Sequence, residues 1–327
     1  MPERRRVVVS TPVPAAYLEQ IGAEDDLVGL PGYARPTPEQ YEGLLPPADG
    51  LLTSAAVGVP GALLEHCRRL KVISITGSGY DKVDVGRATQ LGIAVCNAPG
   101  VTDRSVADLA IAMMLMLARR VRENEELIRS GGWKAPGDRL MGTDLRGKTL
   151  GLVGLGGIAR IVARTARAFE MKCVYYKPRR DFEAEASGLA EFRDRDDLLR
   201  ESDFVSLHLR LDETTRRSFG ARELALMKPT AYLVNTARGE VMDEPALIEA
   251  LSSNRIAGAG LDVMEQEPLP AGHPLTSLSN LVLLPHLGSI TTETRDGVYA
   301  MSVANLLAVL AGRPPGAILN PEVLARP

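Results

Sequence analysis

The stretch Thr149-Leu-Gly-Leu-Val-Gly-Leu-Gly-Gly-Ile-Ala-Arg160 decides the fold. Its first five residues read as a buried β-strand, and a helical pattern follows from Ile158 to Phe169. Between them stands Gly154-x-Gly156-x-x-Ala159, in the strand–turn–helix context that gives such a pattern meaning. Gly154 permits a tight turn, Gly156 lets the backbone approach a pyrophosphate, and Ala159 is small enough for close helix–strand packing. The backbone through Leu155, Gly157 and Ile158 then opens a helix N-terminus, whose free N–H groups and partial positive charge suit phosphate.

Working outward, strands are expected at Thr149–Val153, Lys172–Tyr176, Phe204–Leu209, Ala231–Asn235, Ala257–Asp262 and Leu281–Leu284, with helices between. Six strands in that series predict a doubly wound dinucleotide-binding domain. Upstream, Val7–Val9, Gly50–Thr53, Val72–Thr76 and Ala94–Asn97 form a second alternating series. One long helix is expected from Ser105 to Arg129, with Ser105 and Asp108 as a capping box and Ser130-Gly131-Gly132 as its stop. Its first half is apolar nearly all round and its second half is charged, which fits an inter-domain or inter-subunit spine and suggests a homodimer. A last helix runs from Thr291 to Leu310 and stops at Gly312-Arg313-Pro314-Pro315-Gly316. The expected class is α/β with two doubly wound parallel-sheet domains. A Rossmann-type cofactor domain at 100–286 is inserted in a flavodoxin-like substrate domain made of 1–99 and 287–327.

The chain has 327 residues, which fits two domains better than one. Lys and Arg total 38 against 41 Asp and Glu, a net charge of −3 that gives no support for nucleic-acid or anionic-membrane partners. Cys67, Cys96 and Cys173 are an odd, sparse set without C-x-x-C spacing, so neither a disulfide framework nor a metal site is expected. The longest apolar run, Leu109 to Ala118, is too short for a bilayer. Only Val7–Val9 follow the basic N-terminus, too few for a signal peptide, so a cytoplasmic location is expected.

The end of the second strand of the cofactor domain selects the cofactor. An acid there would bind the ribose hydroxyl of NAD. This chain instead has Lys177-Pro178-Arg179-Arg180, with no carboxylate before Asp181. Lys177, Arg179 and Arg180 favour the 2′-phosphate of NADP, so NADP(H) is the expected cofactor and NAD(H) the alternative.

Three polar residues follow strand ends in the second half: Arg238 in Asn235-Thr236-Ala237-Arg238-Gly239, Glu267 in Glu265-Gln266-Glu267-Pro268, and His286 in Leu284-Pro285-His286-Leu287-Gly288. Ligands of open α/β sheets bind beyond the carboxyl ends of the strands, so all three can converge on one crevice.

In order and spacing, these blocks and the glycine turn resemble the D-isomer-specific 2-hydroxyacid dehydrogenases, over about Leu70 to Arg313. The run Val101–Ala110 and the Lys177–Arg180 turn look most like NADPH-dependent glyoxylate/hydroxypyruvate reductases. The resemblance implies reduction of a small 2-oxo acid to the D-2-hydroxy acid. His286 would donate the proton. Glu267 would orient the ring and favour its charged form. Arg238 would hold the substrate carboxylate and polarise the carbonyl. Glu265 competes for the acid role, but the family places the acid directly before proline, which selects Glu267. Ser78 and Gly79, in the glycine-rich loop Thr76–Asp81, resemble the loop that grips the substrate carboxylate. Thr215 matches a threonine near the phosphates, and Thr236, Ala237, Asp262 and Gly288 are expected at the cofactor. Tyr80 and Trp133 could wall the pocket, and Trp133 could equally anchor an interface. His66 and His273 read as structural, and His208 as lining the cofactor edge. Arg210 replaces a common proline, its direction open. Two alternatives stand beside this reading: a nucleotide-sensing binding protein of the corepressor branch, disfavoured because no recruiting extension precedes the end at Pro327, and a phosphite-type dehydrogenase on the same fold.

Overall fold

The computed structural model describes residues 4–29 and 38–325. The terminal residues named in the expected domain bounds, 1–3 and 326–327, lie outside them. The chain divides into two units, one of Met1–Thr102 with Thr291–Pro327 and one of Asp103–Ile290.

The first unit holds a parallel sheet of β1 (Arg6–Val9), β2 (Asp26–Gly29), β3 (Gly50–Thr53), β4 (Val72–Ile75) and β5 (Ala94–Cys96), ordered β2-β1-β3-β4-β5. The runs β3 to β5 are buried throughout, as strands covered on both faces must be. The helix Thr292–Leu310 belongs here. Ser302 donates its hydroxyl to the Ile75 carbonyl at 3.0 Å, and Asn305 donates its amide to Asn97 at 3.1 Å. Thr291 caps this helix by accepting the Thr294 N–H.

The second unit holds β6 (Thr149–Val153), β7 (Lys172–Tyr176), β8 (Glu191–Phe192), β9 (Phe204–Leu207), β10 (Tyr232–Asn235), β11 (Gly258–Leu261) and β12 (Leu281–Leu283). Their order, β12-β11-β10-β9-β6-β7-β8, is all parallel and reverses between β6 and β9, the crevice position of a doubly wound sheet. The helix Asp103–Ala118 buries Ala107, Ala110, Met113 and Leu117 in this unit's core.

The structure departs from the sequence reading at four points. Strand β2 was not expected, because its half-exposed residues lack a continuous apolar run. Strand β8 has only two residues and sits at the sheet edge. The expected single helix 105–129 is two, Asp103–Ala118 and Val121–Arg129, separated by Arg120 in the left-handed region at φ 49. The break coincides with capture of the Ala118 carbonyl by the Thr143 N–H at 2.7 Å, a partner far along the chain. Ser105 therefore lies inside the first turn rather than capping it. The unit boundaries fall after Thr102 and Ile290, slightly beyond the expected 99 and 286. The reason at the second is that Leu287 and Gly288 are hydrogen-bonded to Asp262, directly after β11 of the second unit.

Candidate active site

Gly154 follows β6 with φ +98, and its N–H reaches the Tyr176 carbonyl at 2.8 Å. A Cβ there would lie 2.5 Å from the carbonyl oxygen of His208, so any side chain is excluded by the end of β9. A Cβ on Gly156 would meet nothing within 4 Å, which leaves its backbone open to a ligand. The helix Gly157–Ala168 starts here, with Ala159 fully buried against the sheet. Leu155 sends its side chain into the core and Ile158 packs against it, so both offer only backbone to the turn. Asp103, which the sequence reading did not single out, has a carboxylate oxygen 2.0 Å from where a Gly157 Cβ would be. Burial pushes its carboxyl up from the ordinary value. Its signal, an acid just before a long apolar helix, carries no hint of that placement.

The turn after β7 splits the three cations. Arg180 pairs with Glu185 and lies over the rings of Phe182 and Phe192. Lys177 lies 3.5 Å from Asp181, whose carboxylate is also bonded to Arg160 and held well below the usual range by its hydrogen bonds, the Ala184 N–H foremost. Arg179 is exposed and has no partner among the described residues.

Thr236 is buried, and its hydroxyl finds no partner among the described residues. A buried hydroxyl left bare beyond a strand's carboxyl end fits a bound group. Asn235 shapes the same turn, accepting the Ala237 N–H at 3.0 Å and donating to the Arg238 carbonyl at 2.9 Å. Arg238 is half-buried and donates to the Ala237 carbonyl at 2.8 Å. Thr215 spends its hydroxyl within its own turn, donating to the Arg210 carbonyl at 2.6 Å and accepting the Asp212 N–H at 2.8 Å. Arg210 points to Asp212 at 3.5 Å and is mostly exposed.

The three catalytic candidates stand on adjoining loops. Gly239, next to Arg238, packs so closely that a Cβ would fall 1.9 Å from the carbonyl carbon of Met264. Only glycine fits there, and the loop carrying Arg238 abuts the loop carrying Glu267. Glu267 accepts the Met264 N–H with Oε1 at 3.1 Å and lies 2.8 Å from Nδ1 of His286 with Oε2. A carboxylate accepts only, so Nδ1 carries the hydrogen and Nε2 is left for a reacting atom. The ring is 46% exposed. His286 takes the left-handed backbone at φ 57, a conformation uncommon for a residue other than glycine and kept only where the surroundings hold it. Asp262 supplies that hold through the next two amides. Glu265, the competing acid, is engaged by Arg217 instead. His208 is bonded to Ser206 at 2.9 Å, and burial pushes its imidazole down to about 4, so it stays neutral.

In the first unit, the loop after β4 is tied by Asn97 donating to the Ser78 carbonyl at 2.8 Å and Thr102 donating to its hydroxyl at 3.2 Å. Gly79 and Tyr80 are half-buried beside it. Among the described residues no cluster of three metal-ligating side chains occurs, and no helix is long and apolar enough to cross a membrane.

A doubly wound sheet with an open glycine turn at its switch point is the architecture of a dinucleotide-binding domain. The family model "D-isomer specific 2-hydroxyacid dehydrogenase, NAD binding domain" matches residues 111–288, and the chain belongs to that family of enzymes. It is 45% identical to the glyoxylate reductase of Thermococcus litoralis over 281 residues, 84% of this chain and 85% of that one. It is 40% identical to the glyoxylate reductase of Aeropyrum pernix, over 98% of both chains. Among solved structures it is similar to a glyoxylate reductase from Paecilomyes thermophila, at TM-score 0.87 and 33% identity over 98% of this chain and 100% of that one. It is also similar to an NADPH-dependent glyoxylate/hydroxypyruvate reductase from Sinorhizobium meliloti in complex with NADP and malonate, at TM-score 0.85 and 29% identity over 97% of both.

Proposed function

We propose that this enzyme reduces glyoxylate, or a small 2-oxo acid such as hydroxypyruvate, to the D-2-hydroxy acid, with NADPH preferred over NADH. The observation that carries the reading is the 2.8 Å bond between Nδ1 of His286 and Oε2 of Glu267. It fixes the ring and leaves Nε2 to give a proton to the carbonyl oxygen in reduction and to take it back in oxidation. Arg238 pairs with the substrate carboxylate and polarises the carbonyl; its planar fork suits that task. The nicotinamide, when bound, supplies the hydride. Gly154 to Ile158 cradle the phosphates by backbone, with Thr236, Ala237, Asp262 and Gly288 around the remaining nucleotide. In the first unit, the Ser78–Gly79 loop is the anion-binding element of the same reading.

The names of the relatives support glyoxylate as substrate. Arg179, without a partner among the described residues, and a structural neighbour crystallised with NADP support the cofactor preference. Assembly as a homodimer belongs to the same proposal.

The test is loss of NADPH and NADH absorbance with a panel of 2-oxo acids, in wild type and His286→Ala. Glyoxylate turnover with NADPH favoured, and a kcat reduced about 10²- to 10⁴-fold in the variant with NADPH binding retained, is the expected result. Near-normal turnover in His286→Ala overturns the assignment.

A further inference from the structure

We propose that Glu244, itself held by His273, is a positioning residue for the loop that presents Glu267 to His286. The proposal rests on the assignment of Glu267 and His286 made above.

Glu244 opens the helix Glu244–Ser252 and is only 8% exposed. A carboxylate so far out of water needs hydrogen-bond donors. It finds them outside its own helix. Oε2 accepts the backbone N–H of Glu265 at 3.1 Å, and Oε1 lies 3.3 Å from Nε2 of His273. The other ring nitrogen decides the tautomer of His273. Nδ1 accepts the Leu275 N–H at 3.4 Å, so the hydrogen sits on Nε2, the nitrogen that faces Glu244.

Two consecutive amides are therefore taken by two different carboxylates. Met264 N–H goes to Glu267, inside the loop, and Glu265 N–H goes to Glu244, outside it. The side chain of Glu265 is engaged by Arg217, and the backbone at Gly239 closes the remaining side. Glu244 is the member of this clamp rooted in a helix, with Asp243 capping that helix at the Ala246 N–H. Freeing the Glu265 amide lets the loop shift, and a shift of about 1 Å is enough to break the Glu267–His286 bond and lower the rate.

The test is a double-mutant cycle on glyoxylate reduction with NADPH, joined to one readout that needs no turnover. Glu244→Ala should lower kcat roughly tenfold and leave the NADPH KM unchanged. Glu244→Gln keeps an acceptor oxygen for the Glu265 amide and should recover most of the loss. In a Glu267→Gln background, Glu244→Ala should cost nothing more, because the residue it acts through is already disabled. His273→Phe keeps an aromatic ring and removes the ring nitrogen that faces Glu244, and should show the same coupling with a smaller loss. The second readout is the Nδ1 proton of His286 in protein labelled with 15N-histidine. It should be sharp in wild type, absent in Glu267→Gln and broadened in Glu244→Ala. An unchanged Nδ1 signal, or the same fold-loss of kcat in both backgrounds, overturns the proposal. Normal turnover in His286→Ala instead removes the assignment beneath it, and the two failures are distinct.

Discussion

Asp262 accepts the backbone N–H of Leu287 at 2.6 Å with one carboxylate oxygen, while its other oxygen accepts that of Gly288 at 2.8 Å. Asp262 directly follows β11 and is 1% exposed. The two amides come straight after His286, so a carboxylate rooted in the sheet pins the left-handed turn that aims the ring. Burial pushes this carboxyl above its ordinary value, against the pull of the two donors.

Asp262→Asn keeps the shape but turns one acceptor into an NH₂ group facing an N–H. Each buried hydrogen bond broken that way costs about 1–3 kcal/mol. We expect kcat to fall at least tenfold and the melting temperature by several degrees, read by steady-state kinetics and calorimetry. A variant with wild-type rate and melting point would mean that the turn holds itself.

The turn after β7 predicts a division of labour. Arg179→Ala should raise the NADPH KM about tenfold or more, by loss of a charge-assisted phosphate contact, and leave the NADH KM alone. Arg180→Ala should change that ratio much less, because its guanidinium already serves Glu185 and two aromatic rings. Equal effects of the two variants on the NADPH-to-NADH ratio would contradict the division.

His208 makes acid sensitivity testable. Its imidazole titrates near 4 when folded, against 6.5 as the ordinary value, because burial penalises the charged form. Below pH 6.5 the unfolded chain binds the proton more readily. The stabilisation is therefore complete above about pH 6.5 and is lost as pH falls toward 4, by about 2 kcal/mol between pH 7 and pH 5. Denaturant unfolding at both pH values should show that loss in wild type and a much smaller one in His208→Gln.

The helix Val121–Arg129 has no buried residue, and Val121, Ile128, Trp133 and Met141 stand exposed around it. Leu127, Trp133, Leu140 and Met141 line a groove of about 980 Å³. If a second copy covers this face, light scattering will give twice the chain mass, and Trp133→Glu with Met141→Glu will shift it toward the monomer with no loss of folded signal. A wild-type monomer at micromolar concentration would contradict the dimer.

Both sheets were legible wherever a strand is buried on both faces, because its composition is then a continuous apolar run. The strands β2 and β8 were not, since an edge strand with charged, half-exposed residues looks like a loop until its neighbour is known. The helix break at Arg120 was hidden for a related reason, as the Ala118 carbonyl is taken by Thr143 across the fold. Around the site, the glycines, Arg238, Glu267 and His286 stood out by residue type after strand ends. Asp103 beside Gly157 and Glu244 beside Glu265 did not, because nothing local marks an acid for a distant amide or turn.

The amino-acid order alone determined the doubly wound architecture and the glycine turn after β6, because backbone geometry and two-sided burial restrict which residues can stand at each position. Folding in three dimensions decided the pairings: Glu265 tied to Arg217, its amide to Glu244, and Arg180 rather than Arg179 tied to an acid. Pairing is a matter of which groups meet after packing and which remain in water, and those energies reside in contacts between segments far apart along the chain.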